Sequence, residues 1–96
     1  MIITLSPQRR DDTLDAYKQG DKLTINGTEY DFSQVPDGAT LPSDAIDCDY
    51  IVGDVDRIDG VLHITLLLPL KVDASEIARF PEPIENPVDG ALELPQ

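Results

Sequence analysis

Between Tyr50 and Leu68 the chain reads YIVGDVDRIDGVLHITLLL, two apolar, β-branched runs on either side of Asp59-Gly60. Asp-Gly is a pair that a type I′ hairpin turn favours, because both central positions need φ > 0. A two-residue loop there sets Ile58 opposite Val61, Arg57 opposite Leu62, Asp56 opposite His63 and Val55 opposite Ile64. Continued outward, the same register sets Asp54 against Thr65, Gly53 against Leu66, Val52 against Leu67 and Ile51 against Leu68. Side chains alternate between faces along a strand. Ile51, Val55, Leu62, Ile64, Leu66 and Leu68 therefore share one face, which the pattern marks as core.

A second alternating stretch precedes it. Thr28 to Phe32 follows Asn26-Gly27, again a strong hairpin pair, which sets Ile25 against Thr28, Leu23 against Tyr30 and Lys22 against Asp31. A turn read at Gln19-Gly20 sets Lys18 against Asp21, Ala16 against Leu23 and Leu14 against Ile25. Both turns place Leu14, Ala16, Leu23, Ile25, Tyr30 and Phe32 on one face of a three-stranded meander, with Lys22, Thr24, Glu29 and Asp31 on the other. A slip of one residue would reverse every side chain, so the agreement is informative. Ile2 to Leu5 reads as an edge or opening strand ended by Ser6-Pro7. Ser33 to Pro42 reads as loop, and Ser43 to Ile46 as a short turn capped by Ser43.

Five of the eight prolines fall at or after Pro69. Asp73 to Arg79 suits about two helical turns, and from Phe80 onward proline predicts an extended tail with a loose hairpin at Asp89-Gly90. The expected fold is all-β: a small antiparallel sandwich or rolled sheet, built from the meander and the hairpin. Residues 1–70 form the β domain, and residues 71–96 form a proline-rich extension packing on the domain or on a partner.

At 96 residues the chain suits a single domain. A formal net charge of −12 repels nucleic-acid phosphates and anionic membranes, which argues against a basic nucleic-acid binder or a membrane-surface protein. No apolar run approaches the roughly 20 residues a bilayer span requires. One cysteine allows neither an internal disulfide nor a multi-cysteine zinc site and fits a reducing compartment. The N-terminal residues lack a signal-peptide pattern, so synthesis in the cytoplasm is the expectation.

The residues that could carry chemistry each have a plainer explanation. Asp44, Asp47, Asp49, Asp54, Asp56 and Asp59 crowd one stretch with only Arg57 as a base, but Ile51 and Gly53 break the EF-hand pattern. Asp54 and Asp56 share a face that could hold a cation in a shallow site, and a solvated acidic strand explains them as well. His63 opposite Asp56 could be a carboxylate-held base whose pKa is raised, yet no nucleophile is placed beside it. A cross-strand charge pair accounts for it. Cys48 between Asp47 and Asp49 lacks the cationic surroundings that activate a thiol. No catalytic residue, metal or cofactor is assigned.

The other face of the organising hairpin mixes Asp56, His63, Asp54 and Thr65 with the apolar pairs Val52–Leu67 and Ile58–Val61. Apolar pairs on a face that should be wet imply a cover. The tail, through Ile77, Phe80 and Ile84, can supply it in cis, and a protein partner or a second copy can supply it in trans. Val52, Ile58, Val61 and Leu67 are accordingly the candidate partner-binding residues.

LTINGTEYDFS (Leu23–Ser33), PDGATLP (Pro36–Pro42), IVGDVDRIDGVLHITLLLP (Ile51–Pro69) and RFPEPI (Arg79–Ile84) resemble a group of small uncharacterised proteins of tailed bacteriophages and prophages. Their genes lie in the tail module, near tail-fibre and fibre-assembly genes. The blocks are turn-and-strand pattern, and no functional residue transfers with them. The resemblance implies a bacterial cytoplasm as the place of synthesis, association with the virion as one destination, and a phage tail or fibre protein, or self, as partner. The expected function is a non-enzymatic protein–protein interaction module, a minor tail component or assembly factor. The alternative is an acidic DNA mimic that inhibits a host nucleic-acid-binding protein.

Overall fold

A computed structural model describes residues 1–10, 12–70, 76–92 and 94, with the backbone alone at Ile77. The organising hairpin forms as the pattern requires. Strands β6 (Val55–Ile58) and β7 (Val61–Leu70) are antiparallel, with Asp56 opposite His63, Arg57 opposite Leu62 and Ile58 opposite Val61. Asp59 and Gly60 have φ of 51° and 79°, as a type I′ turn demands. The meander comprises β2 (Ala16–Gln19), β3 (Lys22–Ile25) and β4 (Thr28–Asp31), and its β3–β4 register is the expected one. Asn26 takes φ 49° in that turn, and its carboxamide oxygen accepts the Asp15 N–H at 2.8 Å.

Two local registers and one cap differ from the sequence reading. Gln19 pairs with Lys22 and Ala16 with Ile25, so the first turn is centred on Gly20-Asp21, not Gln19-Gly20. Gly20, at φ 59°, takes the first central place, the order a type II′ turn asks for. In the hairpin, Ile51 meets Leu66, not Leu68, because two extra residues around Gly53 (φ 75°) bulge outward. Both shifts are even, so every side chain keeps its face. The short turn Ser43–Ala45 is preceded by Pro42, and no side chain caps it. The Asp54 carboxylate instead accepts the Ser43 N–H at 2.9 Å.

β1 (Ile2–Arg9) is flanked on both sides at Ile2 and Ile3, where Ile84–Glu85 pairs with it, and its outer side is an edge only beyond Ile3. It lies beside β7 in parallel, Ile2 with His63 through Arg9 with Leu70. A parallel neighbour needs a long crossover, and here that connection contains the meander, β5 (Thr40–Leu41) and β6. The first sheet thus runs β5-β6-β7-β1-β8, with β8 at Ile84–Glu85. The second runs β4-β3-β2-β9, with β9 at Gly90–Ala91. The all-β fold holds, with one mixed sheet and one antiparallel sheet.

One core joins the sheets' inner faces. Ile3, Leu5, Leu23, Ile25, Phe32, Val35, Ile51, Val55, Leu62, Ile64, Leu66 and Leu68 are buried together, with Leu14 and Tyr30 partly buried against them. The tail does not form a hairpin at Asp89-Gly90. It adds β8 to β1 in one sheet and β9 to β2 in the other, and Leu92 donates its N–H to the Ala16 carbonyl at 2.9 Å. Asp89 anchors the crossing: its Oδ1 accepts from Lys18 Nζ at 2.9 Å and from the Gly20 N–H at 3.0 Å. The proposed helix is the single turn α1 (Glu76–Arg79), and its upstream part, Asp73 to Ser75, falls outside the described residues.

Candidate interaction surface

The β6–β7 register brings Ile58 and Val61 together at the hairpin tip, where Ile58 is 51% exposed and Val61 half-buried. The bulge separates the other expected pair. Val52, half-buried, donates its N–H to Thr65 at 2.9 Å, while Leu67 donates to the Tyr50 carbonyl at 2.8 Å. Leu67 is only 4% exposed, yet it stands outside the main core cluster. α1 packs on β7, and its Ala78 is fully buried, also outside that cluster. The extension therefore covers this part of the second face in cis. Phe80 does not share in the cover, being largely exposed, and Ile84 packs against the main core. The Ile77 side chain lies outside the described residues.

Beside Ile58 the Pro36–Ala39 loop and Thr40 close an open hollow of about 450 Å³ against the hairpin, whose lining includes Asp37, Thr40, Asp56, Arg57, Ile58 and Asp59. The loop is tied down by Gly38 N–H to the Arg57 carbonyl (2.8 Å), Arg57 N–H to the Ala39 carbonyl (3.1 Å) and Gly60 N–H to Asp37 Oδ1 (2.9 Å). The Thr40 hydroxyl donates to Asp56 Oδ1 at 2.6 Å. No ion pair among the described residues joins His63 to Asp56, although the strands set them opposite each other. Among the described residues no group of three or more His, Cys, Asp or Glu is placed to hold a metal ion.

Arg57 is the residue whose role the sequence reading missed. It shares the core-facing side of β6 with Val55, and its side chain is only 13% exposed. Its Nε donates to the Val35 carbonyl (2.6 Å), one terminal nitrogen to the Phe32 carbonyl (3.2 Å) and Asp21 Oδ2 (3.1 Å), and the other to the Gly60 carbonyl (3.3 Å). The guanidinium thus ties the hairpin to the meander turn, and its charge is spent inward. The hollow, which Arg57 also lines, carries the three carboxylates of Asp37, Asp56 and Asp59.

A second link between the sheets involves two phenols. Tyr30 donates to the Asp47 carbonyl at 2.9 Å, and its hydrogen bond with Cys48, aided by burial and nearby Asp47 and Asp49, pushes its pKa up to about 12. Tyr50 donates to Asp12, which raises the phenol's pKa and lowers that of the carboxyl; Arg10, paired with Asp12 at 2.8 Å, lowers it further. A phenol whose folded pKa is raised contributes stability that is present below the unfolded value of about 10 and is lost as pH rises through the folded value. An alkaline titration of tyrosinate absorbance is expected to show late ionisation, with the unfolding midpoint falling above about pH 10. Tyr30→Phe should flatten that alkaline limb. An equally steep limb in the variant would mean the phenol does not couple to folding.

Against protein-family models, curated proteins and solved structures, the chain finds no match.

Proposed function

We propose that the chain is a non-enzymatic protein–protein interaction module that engages its partner through the tip of the β6–β7 hairpin. The observation that carries this reading is Ile58, a large aliphatic side chain half in solvent and bordered by the carboxylates of Asp37, Asp56 and Asp59. An apolar anchor within a charged rim is the arrangement of a contact surface, not of a reaction centre. Val61 extends the anchor along the strand. Val52 stands apart from it, and Leu67 supports the sheet from beneath α1. The resemblance to phage tail-module proteins supports a tail or fibre protein as partner, with the chain made in the bacterial cytoplasm as a minor tail component or assembly factor.

The net charge of −12 favours the second reading, a mimic of DNA. The two separate in a binding measurement against phage tail and fibre proteins. Ile58→Asn is expected to weaken binding by about tenfold or more, as loss of a buried aliphatic anchor should, with little change in melting temperature. No binding to any of them, together with displacement of DNA from a basic host protein that Ile58→Asn leaves intact, would replace the first reading with the second.

A further inference from the structure

We infer that the outer edge of β4 is a strand-addition site for an extended, cation-bearing segment of another protein. In the two-residue hairpin, Ile25 and Thr28 form the closing hydrogen-bonded pair, and hydrogen-bonded pairs alternate from there. The Phe32 N–H reaching the Asp21 carbonyl at 3.0 Å fixes the same phase. The N–H and C=O groups of Glu29 and Asp31 therefore point away from β3, and no described hydrogen bond reaches them. Two such residues at i and i+2 offer the repeat that an added strand needs.

The other edges are shorter or blocked. β5, β8 and β9 have two residues each. Along β1, the Arg10 N–H bonds the Leu70 carbonyl, which turns the odd-numbered positions to the outer side and puts Pro7, without an N–H, on that edge.

Charge selects the occupant. Glu29 and Asp31 share one face, and Lys22, 3.7 Å from Glu29, neutralises only one of them. A second copy added antiparallel about Tyr30 would set Glu29 against Asp31 twice, and like charges directly opposite destabilise a strand pair. A strand with lysine or arginine at those positions removes the conflict. This site lies on the other sheet from the hairpin tip and stands or falls without it.

The test uses the whole chain and a synthetic peptide alternating lysine and valine, with a glutamate–valine peptide as control. The lysine peptide is expected to slow hydrogen exchange at the Glu29 and Asp31 amides, and the control to leave them unchanged. Glu29→Pro removes an N–H that the fold does not use and should weaken binding by about tenfold. Glu29→Gln keeps the N–H and should lose about threefold. Unchanged exchange at both amides overturns the site, as does slowing by both peptides alike. Self-association through β4 in place of peptide binding overturns it too. The exchange result decides the matter even where the proline variant fails to fold.

Discussion

Arg57→Ala is expected to lower the stability of the chain by roughly 2–4 kcal/mol, a large share of the 5–15 kcal/mol typical of a domain. The reason is what the substitution leaves behind. The carbonyl of Val35, a buried residue, would lose its donor at about 1–3 kcal/mol, whereas the Phe32 carbonyl would keep the Val35 N–H at 3.1 Å and lose only its second bond, about 0.5–1.5 kcal/mol. Asp21 matters less: its side chain is 43% exposed, and an ion pair that open contributes about 0–1 kcal/mol. The expected order of damage is therefore Arg57→Ala, then Arg57→Lys, then Asp21→Asn. Lysine keeps the charge but cannot fork to carbonyls on two sides. Thermal unfolding followed by circular dichroism checks the order, and the alanine variant should lose about 8 °C or more. Equal losses for Asp21→Asn and Arg57→Ala would mean that the charge pair, not the carbonyl bonds, holds the strut.

The two hairpins were legible because each carries its own turn signal and an alternating pattern in which parity is unforgiving. Parity also explains the errors. The Gly20-Asp21 turn and the bulge at Gly53 shift pairing by even steps, which the hydrophobic pattern cannot detect, since Ala16 and Ile51 face the core in either register. The parallel β1–β7 pair was illegible for a different reason. Nothing local in Ile2 to Leu5 tells a strand which neighbour it will find after a crossover that spans a whole sheet. Arg57 was legible in principle: the register placing it opposite Leu62 also places it on the face of Val55. The composition instead marks it only as the lone base among six carboxylates. At the candidate surface, pattern alone brought Ile58 and Val61 together correctly. Leu67 differs because α1, the turn that soon follows β7, packs on that strand, a cover the pattern offers only as one of two.

Removing residues 71–96 is expected to convert the chain into a self-associating species and to cost about 4 kcal/mol or more in stability. The loss follows from what the extension covers. Leu67 would pass from nearly buried to open, about 1.5–3 kcal/mol for a leucine, and the half-buried contacts of Ile84, Leu92 and Leu94 with the core would go with it. Self-association follows from the backbone. Without β9 the outer edge of β2 is unpaired, and without β8 the Ile2–Ile3 end of β1 is too; unlike β4, neither stretch carries acids to repel a second copy. Light scattering at two concentrations should show mass rising with concentration for the truncated chain more steeply than for the full one. Asp89→Asn provides the milder version. The Asp89 carboxyl is held below its ordinary pKa by Lys18 and by the Gly20 N–H, so its contribution is present above the unfolded value of about 4 and fades as pH falls through the folded one. The variant should lose part of that acid limb while keeping Leu67 covered, and it should stay closer to the full chain in mass. A truncated chain whose mass rises with concentration no more steeply than that of the full one would mean that Leu67 and the β1 and β2 edges can stand open without harm. The extension would then act mainly by stitching one sheet to the other.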